Sequence, residues 1–190
     1  MQIERSLSER VTIEIADGVA EVTLNRPDKL NALDPAMFEA IIAAGERVSR
    51  TAGLRAIVLV GAGKGFCAGL DKETFASLVA KGAPALGELT KRTHGIANAF
   101  QQAAYVWRTL PVPVIAAIHG VALGGGFQIA LGADVRYVAP DGASRYWKSN
   151  GALFPTWAES RLCANSPAPT SCACHRPASA PPSPTGSARA

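Results

Sequence analysis

No stretch of this 190-residue chain is both apolar and long enough to cross a bilayer; the apolar runs are of strand length and are broken by glycine or proline. The opening residues Met1-Gln2-Ile3-Glu4-Arg5 lack the apolar core of a secretory signal, so a cytoplasmic location is expected. Charge is scarce at 18% of residues, and the formal net charge of +4 is unevenly placed. Five basic and two acidic residues lie from Asp141 onward, which leaves the body of the chain nearly neutral. Without a basic stripe interleaved with aromatics, a nucleic-acid partner is not expected. Cysteine is equally sparse. Of four, Cys163, Cys172 and Cys174 fall late in the chain and lack the paired spacing that zinc requires, so neither a metal site nor a disulfide framework is expected.

What remains is a chain with 48% hydrophobic residues, enough to bury one core. Val11-Thr12-Ile13-Glu14-Ile15 and Val19-Ala20-Glu21-Val22-Thr23-Leu24 alternate at period two around Asp17-Gly18, which predicts a hairpin. Asp34 and Pro35 open a helix to about Arg50, with Met37, Phe38, Ile41, Ile42, Gly45 and Val48 on its inner side. A buried strand follows over 54–60. Leu86, Leu89, Thr93, Ile96, Phe100, Ala104 and Trp107 then recur at near-helical spacing, predicting one long helix to Leu110. A second buried strand starts at Val114, and a short one spans Val135 to Ala139.

Both buried strands run into glycine-rich backbone. The first gives Gly63-Lys64-Gly65-Phe66-Cys67-Ala68-Gly69-Leu70-Asp71; the second gives Gly120-Val121-Ala122-Leu123-Gly124-Gly125-Gly126-Phe127-Gln128. Three consecutive glycines at a helix start serve either close strand–helix packing or the binding of an oxyanion by bare amides at a positive helix end. A phosphate-binding loop at Gly61-Ala62-Gly63-Lys64-Gly65 is disfavoured, because no Ser or Thr follows the lysine and the glycine spacing is wrong.

With Asn25-Arg26-Pro27-Asp28-Lys29-Leu30-Asn31-Ala32-Leu33, these two loops resemble the crotonase superfamily, the enoyl-CoA hydratase/isomerase group of fatty acid metabolism. The resemblance covers roughly Val11 to Pro140. It implies an α/β, crotonase-like fold of repeated ββα units, incomplete at the carboxy terminus, in a homo-trimer or hexamer. It implies an acyl-CoA thioester substrate, with coenzyme A as part of that substrate and no separate cofactor. The amides of Leu70 and Gly125 would hold the thioester oxygen as it becomes an enolate. Lys29, Leu30, Ala32, Ala68, Gly69, Leu70, Asp71, Gly124 and Gly125 would line the substrate. Several of these residues have plainer readings. Lys29 suits a solvated loop, Cys67 a packed small hydrophobe, and His119 a satisfied strand end.

The family's hydratases use two glutamates. At the first position this chain has Gln128, which cannot cycle a proton near neutral pH and would orient water or substrate, or simply pack. The second should follow Pro140, yet Gly142 to Gly151 contains no carboxylate. Codons exist for this stretch that, read one base out of frame, give Arg-Phe-Ser-Val-Leu-Glu-Ile-Lys-Trp-Gly, which is family-like. A one-base shift just after Asp141 is therefore hypothesised, and gene codons incompatible with the second reading would end the idea. On this reading residues 1–140 form an acyl-CoA-binding core. Residues 141–190, rich in Pro, Ser and Ala, are expected to be disordered. The functional expectation is an enoyl-CoA hydratase or isomerase, against a catalytically impaired CoA-thioester-binding or assembly module.

Overall fold

A computed structural model of the chain describes residues 9–81, 91–140 and 143–145. Strands β1 (Val11–Ala16) and β2 (Val19–Leu24) form the hairpin expected from their alternation. Its turn places Asp17 at φ 50° and Gly18 at φ 77°, the two left-handed residues that a tight two-residue connection needs to match the strand twist. Helix α1 (Pro35–Arg50) begins where Asp34 Oδ1 accepts the Met37 N–H at 2.8 Å, with Pro35 in the first turn where its missing N–H costs nothing. All six residues expected on its inner side are buried.

The chain continues through β3 (Ala56–Gly61), α2 (Lys72–Lys81), α3 (Ala99–Arg108), β4 (Val114–Ile118), β5 (Val121–Leu123), α4 (Gly125–Gly132), β6 (Val135–Val138) and β7 (Ala143–Arg145). The main sheet runs in the order β1-β2-β3-β4-β6, parallel except for the opening hairpin. β5 and β7 form a second, two-stranded parallel sheet. Parallel neighbours need crossovers, which α1 supplies between β2 and β3, and α2 with α3 between β3 and β4. α1 packs on α3, and α3 on α4. Phe38 and Phe100 meet edge to face at 4.8 Å across the first contact, while Gly45 lets Val106 come so near that a Cβ there would overlap its side chain.

Three elements differ from the sequence-based expectation. The long helix is shorter: Leu86 and Leu89 lie outside the described residues, and helical backbone starts only at Ala99. Asn98 and Gln101 form a reciprocal capping box there, and Gly95 at φ 63° breaks the chain before it. Thr93 and Ile96 kept the helical spacing by coincidence, and Ile96 is half exposed. Helix α2 and strand β5 were not anticipated, the first because its residues show little apolar period, the second because three residues between glycines read as turn. β7 lies past residue 140. Residues 146–190 lie outside the described residues.

Candidate active site

Because β3 and β4 are adjacent and parallel, the loops that leave their carboxyl ends emerge side by side. They are stitched together by backbone. Phe66 N–H donates to His119 O at 3.0 Å, Cys67 N–H to Val121 O at 2.9 Å, and Leu123 N–H to Cys67 O at 2.9 Å. The glycines are what permit this approach. A Cβ on Gly126 would stand 2.5 Å from Cys67 O and 2.6 Å from Cys67 Cβ. One on Gly69, whose φ is +84°, would stand 2.5 Å from Leu123 O and 3.4 Å from Gly125 N. The loop before Leu70 therefore touches the start of α4.

At this contact two amides stand out. Ala68 N–H donates to Leu30 O at 2.9 Å and Asp71 N–H to Leu33 O at 3.0 Å, but between them Leu70 N–H has no acceptor among the described residues. Gly125 N–H likewise has none among the described residues. It is the first residue of α4, where an amide has no carbonyl within the helix to serve it. Gly124 caps the helix at φ 49°, ψ −115°, a conformation open to glycine and without a side-chain cap. Two N–H donors on touching loops, one at a helix start, are suited to one electron-rich oxygen.

The segment between β2 and α1 holds the first loop in place. Asn31 is fully buried at φ 56°. Its Oδ1 accepts the Arg26 N–H at 2.8 Å, and its Nδ2 donates to Ala62 O and Gly65 O at 2.9 Å and Phe66 O at 3.2 Å. Leu33 N–H donates to Gly69 O at 2.7 Å. Arg26 Nη1 reaches Asp71 Oδ2 at 2.9 Å and Ala32 O at 3.1 Å. Asp71 Oδ1 accepts the amides of Glu73 at 2.9 Å and Thr74 at 3.4 Å at the start of α2. Burial alone would raise the Asp71 carboxyl, but these amides and the Arg26 guanidinium outweigh it and hold the group below its usual value.

Of the residues the sequence nominated, Leu70, Gly124 and Gly125 come together at the loop contact, with Ala68 and Gly69 leading into it. Lys29 and Leu30 are exposed in and after a short 3₁₀ turn, and Leu30 O fastens Ala68. Ala32 is buried and offers its carbonyl to Arg26; both carboxylate oxygens of Asp71 are engaged in holding the loop. Gln128 is buried in α4, one turn beyond Gly125. Cys67 is fully buried and its thiol is pushed up to about 12 by desolvation, against a small opposing effect of the Gly69 amide, so it is inert as a nucleophile. His119 Nε2 lies 3.0 Å from Gly63 O and ties the loop. Among the described residues no three His, Cys, Asp or Glu side chains gather to hold a metal ion, and no helix is long and apolar enough to cross a membrane. Sequence reasoning gave Asn31 and Arg26 no role. A non-glycine residue suited to left-handed backbone is the one signal Asn31 carries, and the acceptors of its Nδ2 lie more than thirty residues away.

Solved structures share this architecture. An enoyl-CoA hydratase/carnitine racemase from Magnetospirillum magneticum superposes with a TM-score of 0.72 at 29% identity, covering 84% of this chain and 57% of that one. An enoyl-CoA hydratase from Bacillus anthracis gives 0.67 at 27% identity, covering 81% and 57%. The fold is thus that of the crotonases. The family model for enoyl-CoA hydratase/isomerase matches residues 14–160, and the chain belongs to that family. Human mitochondrial Δ(3,5)-Δ(2,4)-dienoyl-CoA isomerase is 38% identical over 125 residues, which are 65% of this chain and 38% of that protein. A Mycobacterium leprae protein named as a probable enoyl-CoA hydratase is 34% identical over 135 residues, 70% of this chain and 44% of that protein. The chain therefore spans about two-fifths of the length of these two relatives, and the family match itself runs past residue 140.

Proposed function

We propose that this chain carries the thioester-activating half of an enoyl-CoA hydratase or isomerase. The observation that supports it is the pair of amides without acceptors among the described residues, Leu70 and Gly125, on loops in contact. A thioester carbonyl placed between them accepts two hydrogen bonds. When the α-carbon loses a proton or a nucleophile adds at the double bond, negative charge collects on that oxygen. Donors already fixed by the sheet and by Asn31 stabilise this charge more than the neutral ground state, which lowers the barrier. Lys29, Leu30, Ala32, Ala68, Gly69, Asp71 and Gly124 form the surrounding wall for the coenzyme A thioester, with Asp71 acting through the loop it holds. Coenzyme A enters as part of the substrate, and no separate cofactor is needed. We place the protein in the cytoplasm, without a nucleic-acid partner.

Gln128 favours a second reading, a thioester-binding module without turnover, because a carboxamide cannot shuttle the proton that hydration requires. Two measurements separate the readings: deuterium exchange at the α-carbon of butyryl-CoA in D2O, and hydration of crotonyl-CoA. Gly125→Pro deletes one donor and should lower both rates by about 10²–10³ while thioester binding persists. Unchanged rates in a folded Gly125→Pro variant would refute the assignment. Binding with neither reaction by the parent protein would establish the module.

A further inference from the structure

Leu33 and Leu70 form an isolated parallel bridge. Leu33 N–H donates to Gly69 O at 2.7 Å and Leu33 O accepts the Asp71 N–H at 3.0 Å, so the two bonds flank Leu70. A residue paired in this parallel manner leaves its neighbour's own N–H pointing the other way, and Leu33 thereby aims the Leu70 amide. One residue further on, the two segments enter α1 and α2 through matching caps. Asp34 Oδ1 accepts the Met37 N–H at 2.8 Å, and Asp71 Oδ1 accepts the Glu73 N–H at 2.9 Å. Their second oxygens meet at one atom: Arg26 Nη1 lies 3.4 Å from Asp34 Oδ2 and 2.9 Å from Asp71 Oδ2, with Ala32 O at 3.1 Å. Arg10 Nη2 backs Asp34 Oδ2 at 2.8 Å. The side chains of Arg26, Asp34 and Asp71 are only 12%, 15% and 10% exposed, so water screens their charges weakly. The bridge that aims Leu70 thus draws together two like charges, which unopposed would push it apart.

We propose that Arg26 is a positioning residue for the thioester oxygen: by neutralising Asp34 and Asp71 together it keeps the Leu33–Leu70 bridge closed and the Leu70 N–H aimed. This rests on the thioester reading above. Asp34 then has two tasks. One oxygen caps α1, and the other ties that cap, through Arg26, to the loop that carries the amide. Gly125 stands outside this clamp, because its amide is set by the start of α4. Loss of the clamp therefore misaims one donor of the two and spares the other. Removing one of the two carboxylates removes the repulsion that Arg26 opposes, so the clamp is needed only while both charges are present.

Difference infrared spectroscopy of the full chain with butyryl-CoA, isotopically labelled at its carbonyl carbon, reads the hydrogen bonds on the thioester oxygen without turnover. The parent should lower the carbonyl stretch of the bound thioester. Arg26→Gln, checked for folding by circular dichroism, should lose roughly half of that lowering, because one of two donors is misaimed. The double variant Arg26→Gln with Asp34→Asn should recover most of it, since Asp34→Asn keeps the cap acceptor and removes one charge. A merely structural Arg26 predicts the opposite order, the double variant having lost one contact more. If Arg26→Gln does not fold, folding of the double variant stands in for the infrared recovery, and failure of both overturns the proposal. Full lowering in Arg26→Gln, or no recovery in the double variant, overturns the role of Arg26 and leaves the thioester reading standing. A parent that does not bind the thioester, or binds it with its stretch unshifted, overturns both.

Discussion

Replacing Asn31 by glycine should be among the most damaging single changes in the chain, although it relieves a left-handed residue. At φ 56° glycine sits without steric cost, so the backbone gains or loses little. The side chain is another matter. Its removal strips one bond to the Arg26 amide and leaves the carbonyls of Ala62, Gly65 and Phe66 without the Nδ2 donor that they share. An ordinary bond contributes about 1 kcal/mol, and a buried carbonyl left unmet costs about 1–3 kcal/mol. The Arg26 bond and the two fully buried carbonyls, of Gly65 and Phe66, together come to roughly 3–7 kcal/mol, a large part of the ~5–15 kcal/mol by which domains are stable. Asp17 is the natural control, because it too is left-handed, at φ 50°, but lies exposed in the hairpin turn. Asp17→Gly should change stability by less than about 1 kcal/mol. Urea unfolding reads the difference. With slopes of ~1–3 kcal/mol/M, Asn31→Gly should lower the midpoint by at least about 1 M at unchanged slope. Equal midpoints for the two variants would show that water fills the Asn31 site and that the side chain does not hold the loop.

Gly45→Ala should destabilise by about 1–3 kcal/mol despite alanine's better helix propensity, because its Cβ overlaps Val106; a thermal melt of the double variant with Val106→Ala should show the two changes compensating, and a stabilising Gly45→Ala would refute the close approach. Asp71 titrates lower in the folded chain than its ordinary value of 3.8, so its contribution is complete above that pH and is lost as pH falls through the folded value. Asp71→Asn should therefore flatten the acid side of the stability profile, and parallel profiles for the two proteins would count against the Arg26 pairing.

The elements legible from sequence were those whose cause is local. Asp17-Gly18 sets the hairpin turn by its own backbone preference, and Asp34-Pro35 sets the start of α1 by a cap within one turn. The two glycine loops were legible for a different reason: a sterically obligatory glycine marks a close approach even when its partner is unknown. Gly126 and Gly69 are such positions, and the atoms they make room for, on Cys67 and Leu123, lie more than fifty residues away from them in sequence. By contrast, the helical spacing of Thr93 and Ile96 hides that the helix starts only at Ala99. Periodicity counts residues on a face and is blind to one left-handed glycine at position 95.

The candidate site follows the same division. That Leu70 and Gly125 offer amides could be inferred from glycine spacing, but that the first of them is fixed depends on Asn31 and Arg26, whose side chains reach the first loop from elsewhere in the chain, and on Asp71 at the end of that loop. Preorganisation, the property that turns two hydrogen bonds into catalysis, is therefore a tertiary property here. Arg26 joins the two halves of that support, since one guanidinium nitrogen is shared by Ala32 O and Asp71 Oδ2 while the backbone N–H rests on Asn31. The positions that decide how firmly the first amide is held are thus polar residues of the segment between β2 and α1, while the amide-bearing residues themselves contribute only backbone.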